Sequence, residues 1–218
     1  MKQKLLALTF CLLPFTQAQA LGPEALLDIQ HDWAKANYAT TGEKQEAAFS
    51  KLTDTLEKQL QHDPNDQQAR VWLAIVKSSD AGATGGLGAL GKVKESRKLL
   101  EQVEAATPDI LDGSVYTSLG SLYYQVPGWP IAFGNDEKAE EYLKKALEIN
   151  PQGIDANYFY GDFLLEQKRG EEALKFLARA LSAPDRPNRP LADKGRRDEI
   201  NKAIEKAKDM QKKDSDLF

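Results

Sequence analysis

Two segments of the chain repeat each other at a fixed distance. "DEKAEEYLKKALEINP" (136–151) and "GEEALKFLARALSAP" (170–184) set Ala139 against Ala173, Leu143 against Leu177 and Ala146 against Ala180, each pair 34 residues apart by subtraction. A fixed period of this kind signals stacked supersecondary units, because no single unit can bury its apolar face alone. The correspondence runs upstream through each unit. Gly161 precedes Ala173 by 12 residues, with Tyr160 before it and Leu164 three after it, and the unit closes on a proline, Pro184. Small residues at such places let two helix axes approach, and large ones fill the hollows between units.

The preceding unit carries Leu119, Gly120, Tyr123, Ala139, Leu143, Ala146 and Pro151, but glycine to alanine is 19 residues, so seven have been inserted between its helices. The insertion is "VPGWPIAFGN" (126–135), whose prolines and glycines forbid helix. One unit earlier, Leu73 and Ala74 take the large-small place, Ser96, Leu100 and Val103 occupy the second helix, and Pro108 closes it. That gap is 22 residues, so ten are added, and they contain "GATGGLGALG". A fourth, degenerate unit runs from Pro23 to Pro64, with Leu52 and Leu56 in place but Gln59 where alanine is expected.

This order of large residue, glycine, aromatic or leucine, alanine, leucine, alanine and proline resembles the tetratricopeptide repeat family over nearly the whole mature chain. The resemblance implies an all-α, right-handed superhelical solenoid of antiparallel helix pairs. It also implies a protein or peptide held on the inner face of each first helix. Those groove positions fall on Ser114, Thr117, Ser121, Tyr124 and Gln125 in the third unit, and on Asp155, Tyr158, Asp162, Leu165 and Glu166 in the fourth. The basic and asparagine residues of the family's carboxylate clamp are missing, and an acidic, tyrosine-bearing groove implies a basic or apolar partner. Simple packing is the other reading of Tyr124 and Tyr158.

The helices are expected over 23–38 and 43–61, 65–79 and 90–105, 113–125 and 136–149, and 154–167 and 171–181. The proline-broken connector "SAPDRPNRPLAD" follows. A last helix, 194–212, puts Ile200, Ala203, Ile204, Ala207 and Met210 on one stripe and should cap the open end of the array. The organisation is thus a leader over 1–20, repeats over 21–184, and connector with capping helix over 185–218.

The leader has Lys2 and Lys4, an apolar core from Leu5 to Phe15, and Ala18-Gln19-Ala20 in the small-x-small form of a signal-peptidase site. Its apolar core is well short of the ~20 residues that span a bilayer, and no later stretch is long and apolar enough to do so. Cys11, the only cysteine, raises a lipoprotein reading, but Phe10 stands where a small residue is needed. Cleavage after Ala20, a soluble product and a bacterial periplasmic location are expected, with secretion from another kind of cell as the alternative. The mature chain then has no cysteine, hence no disulfide and no thiolate metal site. Removing Lys2 and Lys4 takes 29 basic residues to 27 against 33 acidic ones, a net charge of about −6. Nucleic acid, whose phosphates demand a basic face, is not an expected partner.

"GLGALGKV" (86–93) satisfies two phosphate-loop spacings. A phosphate loop needs a preceding strand and a Ser or Thr after the lysine, whereas a helix precedes here and Val93 follows. The reading kept is a flexible helix-to-helix loop, with an anion on its bare N–H groups as a lesser one. His31 and His62 lie on different helices and assemble no metal site. Ser114, Ser118 and Ser121 have no nearby base, so neither catalysis nor a cofactor is expected. Arg186, Arg189, Lys194, Arg196 and Arg197, interleaved with Asp185, Asp193 and Asp198, read as a solvated connector, with an anionic contact as the lesser reading.

Insertions at equivalent places in a solenoid map to one edge. Gly86, Gly88 and Gly91 should therefore lie beside Trp129, Ile131 and Phe133, an adaptable loop next to rigid aromatic anchors, unless the aromatic loop folds back as a plug. Two functions follow. The first is a non-catalytic periplasmic protein that binds a protein or peptide through the groove or this edge. The second is a carrier of a small organic ligand, prompted by similarity to the periplasmic tetratricopeptide subunit of tripartite ATP-independent transporters, which shares helical repeats with glycine- and proline-rich loops.

Overall fold

A computed structural model describes residues 20–215; the expected leader up to Gln19 lies outside them. Nine helices follow one another in the described residues: α1 (Pro23–Ala39), α2 (Glu43–His62), α3 (Gln67–Thr84), α4 (Gly86–Ala106), α5 (Ile110–Gln125), α6 (Asp136–Ile149), α7 (Ile154–Glu166), α8 (Gly170–Leu181) and α9 (Pro190–Ser215). None is long and apolar enough to cross a membrane.

The first eight pair as four antiparallel hairpins, α1–α2, α3–α4, α5–α6 and α7–α8. Each second helix packs on the first helix of the next unit, and the first helices also touch one another in series, α1 on α3, α3 on α5 and α5 on α7. The first helices therefore line the inner side of a curved array. This is the helical solenoid that the 34-residue period requires.

Local sequence explains the helix boundaries. The Asn135 side chain accepts a hydrogen bond from the Lys138 N–H at 2.8 Å, and Asp136 and Glu137 add negative charge at the positive end of α6. Ala139, Leu143 and Ala146 form the fully buried stripe of that helix. In α5, Leu111, Asp112 and Gly113 have left-handed backbone angles, so the regular helix starts just after Gly113.

The repeat register is visible at the helix crossings. A Cβ on Gly120 would stand 2.5 Å from Leu143 Cγ, and one on Gly161 would stand 2.8 Å from Leu177 Cγ. These are the same contact in two units, although one unit carries seven extra residues between its helices. In the second unit the Ser96 hydroxyl donates to the Ala74 carbonyl at 2.8 Å, so the two small residues meet there too.

Two expectations need correction. The ten extra residues of the second unit are not a loop. The helix α3 runs on to Thr84, α4 begins at Gly86, and Gly85 alone separates them. With φ 63° and ψ −164°, Gly85 holds a conformation open only to glycine, and Gly86 follows with φ 67°, so the reversal is made across these two glycines. The composition Ala81-Gly82-Ala83-Thr84 lets the helix continue where a flexible segment is expected, since helix propensity is only weakly lowered by one glycine.

The second correction concerns α9. Its stripe behaves as a cap, with Ile200, Ala203 and Ala207 buried against the last unit. Yet α9 begins earlier, with Pro190 in its first turn, and it packs on α8, on α7 and also on α1. Leu191 and Ala192 join the core formed by Ile29, Trp33 and Trp72. The last helix thus reaches back to the first and closes the inner side of the array.

At the Gly161–Leu177 crossing there is no space for a side chain. Gly161→Leu should lower unfolding stability by about 1–3 kcal/mol through overpacking, more than any gain in helix propensity returns. Urea unfolding followed by circular dichroism checks this, and an unchanged midpoint would refute the register.

Candidate functional site

The inner face is built around Asp155 in the first turn of α7. Arg186 of the connector donates to its Oδ2 at 2.8 Å, and Arg196 of α9 donates to its Oδ1 at 2.7 Å. Arg186 is also bound to Asp193 at 2.6 Å, and Arg196 to Glu199 at 2.6 Å. Glu199 in turn accepts from the Tyr38 hydroxyl of α1 at 3.2 Å. Burial pushes the Asp155 carboxyl up, but Arg196 and Arg186 outweigh it and hold the carboxyl well below the usual range.

The other expected groove residues of the fourth unit are engaged as well. The Arg196 guanidinium lies 4.4 Å from the Tyr158 ring centre and 4.6 Å from that of Phe159. Asp162 accepts from the Tyr124 hydroxyl at 2.7 Å, and Gln125 donates to the same hydroxyl at 3.0 Å. Burial raises the Asp162 carboxyl above its ordinary value, against the opposing hydrogen bond from Tyr124. Glu166 pairs with Lys206 of α9 at 2.7 Å, an exposed contact of small energetic weight.

The groove is therefore acidic and aromatic as expected, and this chain's own C-terminal segment meets it. Arg186 and Arg196 of this chain occupy the carboxylate of Asp155, the place expected for a basic binding partner. The arginines expected as a solvated connector are instead folded inward, because interleaved Asp193 and Glu199 complete their hydrogen bonding. Asp193 is only 4% exposed.

A cavity of about 420 Å³ remains between this network and the first helices. Trp33, Trp72 and Phe159 form its aromatic walls, while Ser114, Thr117, Ser121, Gln125 and Asp155 bring five of the expected groove positions to its lining. Tyr124 and Asp162 stand behind Gln125, and Tyr158 lies under Arg196. Sequence reasoning missed Trp33 and Trp72 and read Arg189 as part of the connector, and all three also line it. Their contribution depends on α9 meeting α1, for which the repeat pattern carries no signal.

The aromatic insertion forms a second feature. The loop closes on itself, with Gly134 N–H donating to the Pro127 carbonyl at 3.0 Å and Asn135 N–H to the Tyr123 carbonyl at 2.8 Å. Phe133 turns inward, edge-on to Tyr123 at 5.5 Å and beneath the Arg97 guanidinium at 4.3 Å. Trp129 and Ile131 point outward, 89% and 62% exposed. The plug and the anchor readings thus divide between residues of one loop.

Gly86, with φ 67°, sits at the start of α4 and Gly88 and Gly91 follow in its opening turns; all three are exposed, with nothing within 4 Å of a Cβ added at any of them. The expected flexible loop is absent there. The loop reaches unit two through Arg97, about three helical turns from Gly86.

Comparison with known proteins agrees with this architecture. Residues 131–189 match the family described as tetratricopeptide repeat. Among solved structures, TTC0263, a thermophilic TPR protein in Thermus thermophilus, superposes with a TM-score of 0.54 at 23% identity, covering 88% of this chain and 94% of its own. MamA gives a TM-score of 0.45 at 19% identity, covering 80% of this chain and 95% of its own. No curated protein gives a significant sequence match. The fold is that of a tetratricopeptide-type helical-repeat protein, a class generally used as a scaffold for protein interaction.

Removing the Asp155 charge leaves two inward-facing guanidiniums short of a partner. Asp155→Asn should cost about 2 kcal/mol at neutral pH, less than for a fully buried pair because Asp155 retains some solvent contact. The carboxyl is depressed in the folded state, so its contribution is complete above the ordinary aspartate value and is lost as pH falls through the folded one. The stability gap between the parent and Asp155→Asn should hold from neutral pH to about pH 4 and close in stronger acid. Urea midpoints across that range test the sign.

Proposed function

We propose that this chain is an exported, non-catalytic binding protein that acts in the bacterial periplasm and presents its 126–135 loop to a protein partner. The observation that carries this reading is the exposure of Trp129 and Ile131 on a loop whose base is held by Phe133 and by main-chain hydrogen bonds. Exposing such side chains forgoes roughly 2 kcal/mol each relative to burial. Rigid aromatic anchors on a stable scaffold suit recognition, because little ordering is left for the moment of binding. The groove acids are already neutralised internally, so the partner's contact is apolar rather than basic.

Replacing Trp129 with alanine should leave the urea midpoint within about 0.5 kcal/mol of the parent while the native partner no longer co-purifies from the exported fraction. Unfolding of that variant would make the loop a structural plug, and undiminished co-purification would move the site elsewhere.

Export is supported by the surroundings of Leu21. Its backbone nitrogen lies 2.7 Å from Asp66 Oδ2, and Asp66 is 2% exposed while capping α3 through the Ala69 N–H. Cleavage after Ala20 would turn that nitrogen into an α-ammonium facing a carboxylate. Intact mass of the exported protein should correspond to a chain starting at Leu21. Asp66→Asn should destabilise the processed form more than the unprocessed one.

A second reading, a carrier of a small organic ligand or an accessory component of a periplasmic solute-transport system, is favoured by the cavity beneath α9. At about 420 Å³ it lies in the range of small-molecule sites.

A further inference from the structure

Three carboxylates face three arginines around the cavity, but the ion pairs are not shared equally among them. Asp155, Asp193 and Glu199 are all bound to Arg186, Arg196 or both sides of that network. Arg189 also lines the cavity, yet no hydrogen bond or ion pair engages its guanidinium among the described residues. Its Nε–H is buried without an acceptor. The guanidinium instead rests 5.6 Å from the ring centre of Trp72. Trp72, only 4% exposed, lines the same cavity, and its indole N–H is also buried without an acceptor.

Two adjacent donors, one of them cationic, thus lack what every neighbouring donor has. A buried unmade hydrogen bond is costly, and more so at a charged group. Desolvation, and then the nearby Arg186, also push Arg189 down from the ordinary arginine value, outweighing the attraction of Asp155 and Asp193. The surrounding aromatic walls offer a compact apolar slot.

We propose that the cavity binds a small organic carboxylate, its carboxylate oxygens accepting from Arg189 and the Trp72 indole and its apolar body resting against Trp33 and Phe159. This rests on the carrier reading and specifies the ligand's chemistry. A carboxylate offers acceptors to both orphan donors and a counter-charge to the one guanidinium that no ion pair engages, which an amine cannot do and a neutral amide does only in part. The volume of about 420 Å³ suits a small free acid.

The test is calorimetric titration of the processed protein with hexanoate and benzoate, against hexanamide and hexylamine as neutral and cationic isosteres. Trp33 and Trp72 supply an independent fluorescence signal. The acids should bind at least about tenfold more tightly than either isostere, and Arg189→Gln should erase that preference. Trp72→Phe keeps the ring under the guanidinium but removes the N–H, and should weaken hexanoate about threefold. If Arg189→Gln misfolds, Arg189→Lys, which keeps the charge without the Nε donor, serves in its place and should weaken hexanoate by a similar factor.

Equal affinity for hexanoate and hexanamide, or no loss of hexanoate affinity in the folded Arg189 variant, would overturn the carboxylate assignment and leave the carrier reading standing. Absence of binding by all four probes would overturn both.

Discussion

The inner side of this molecule depends on one guanidinium. Arg196 holds Asp155 of α7, holds Glu199 of its own helix, and lies on the rings of Tyr158 and Phe159. Through Glu199 it reaches the Tyr38 hydroxyl of α1. The residue before it completes the junction. A Cβ on Gly195 would fall 2.4 Å from the Tyr38 ring, so glycine is what lets α9 lie against α1 at all. Sterics bring the two ends of the array together, and the ion network fixes their register. Such a network gains little net stability over apolar packing, because desolvation offsets its Coulomb energy. Its effect is to specify one seating of α9 out of the several that a charged amphipathic helix could adopt.

That closure changes what the repeat scaffold can do. An open array of paired helices offers a continuous inner groove to an extended peptide. Here Arg186 and Arg196 neutralise the groove's acidic end and α9 borders it, leaving a partly open pocket with a defined polar content. The long second unit contributes directly. Because α3 continues to Thr84 instead of ending near Ser79, Gly82 and Ala83 become part of the cavity wall. Ten inserted residues that look like a flexible loop serve as extra helical wall.

The repeats were legible because their signal is local and periodic. Ala139, Leu143 and Ala146 recur as Ala173, Leu177 and Ala180, and the same small residues meet at the same crossings. The end of α5 and both ends of α6 could be placed to the residue, since Pro127 stops one helix and Asn135 starts the next. What could not be read depends on contacts between distant segments. Whether "GATGGLGALG" is loop or helix turns on packing that overrides a weak propensity. Whether five basic residues are solvated or buried turns on Asp155, which lies some thirty to forty positions upstream of Arg186 and Arg196. Five of the expected groove positions share one cavity lining, while the chain's own C-terminal segment, which meets them, was hidden by sequence distance.

The exposed loop and the cavity meet at one helix, α5. Tyr123 carries Phe133 and hence the loop, whereas the next two residues, Tyr124 and Gln125, face Asp162 and the cavity. Adjacent positions of a helix point about 100° apart, so the two sites use different faces of a common element. Coupling between them would require α5 to have two arrangements, each preferred by one ligand. Its seating argues against that. Gly120 is packed so closely on Leu143 that α5 cannot shift inward, and Tyr123 is stacked on Tyr142 at 5.6 Å, which is itself stacked on Tyr116 at 6.0 Å. A helix wedged on one side and stacked on the other transmits position without changing it. If both proposed sites bind, they are thus expected to work independently of each other.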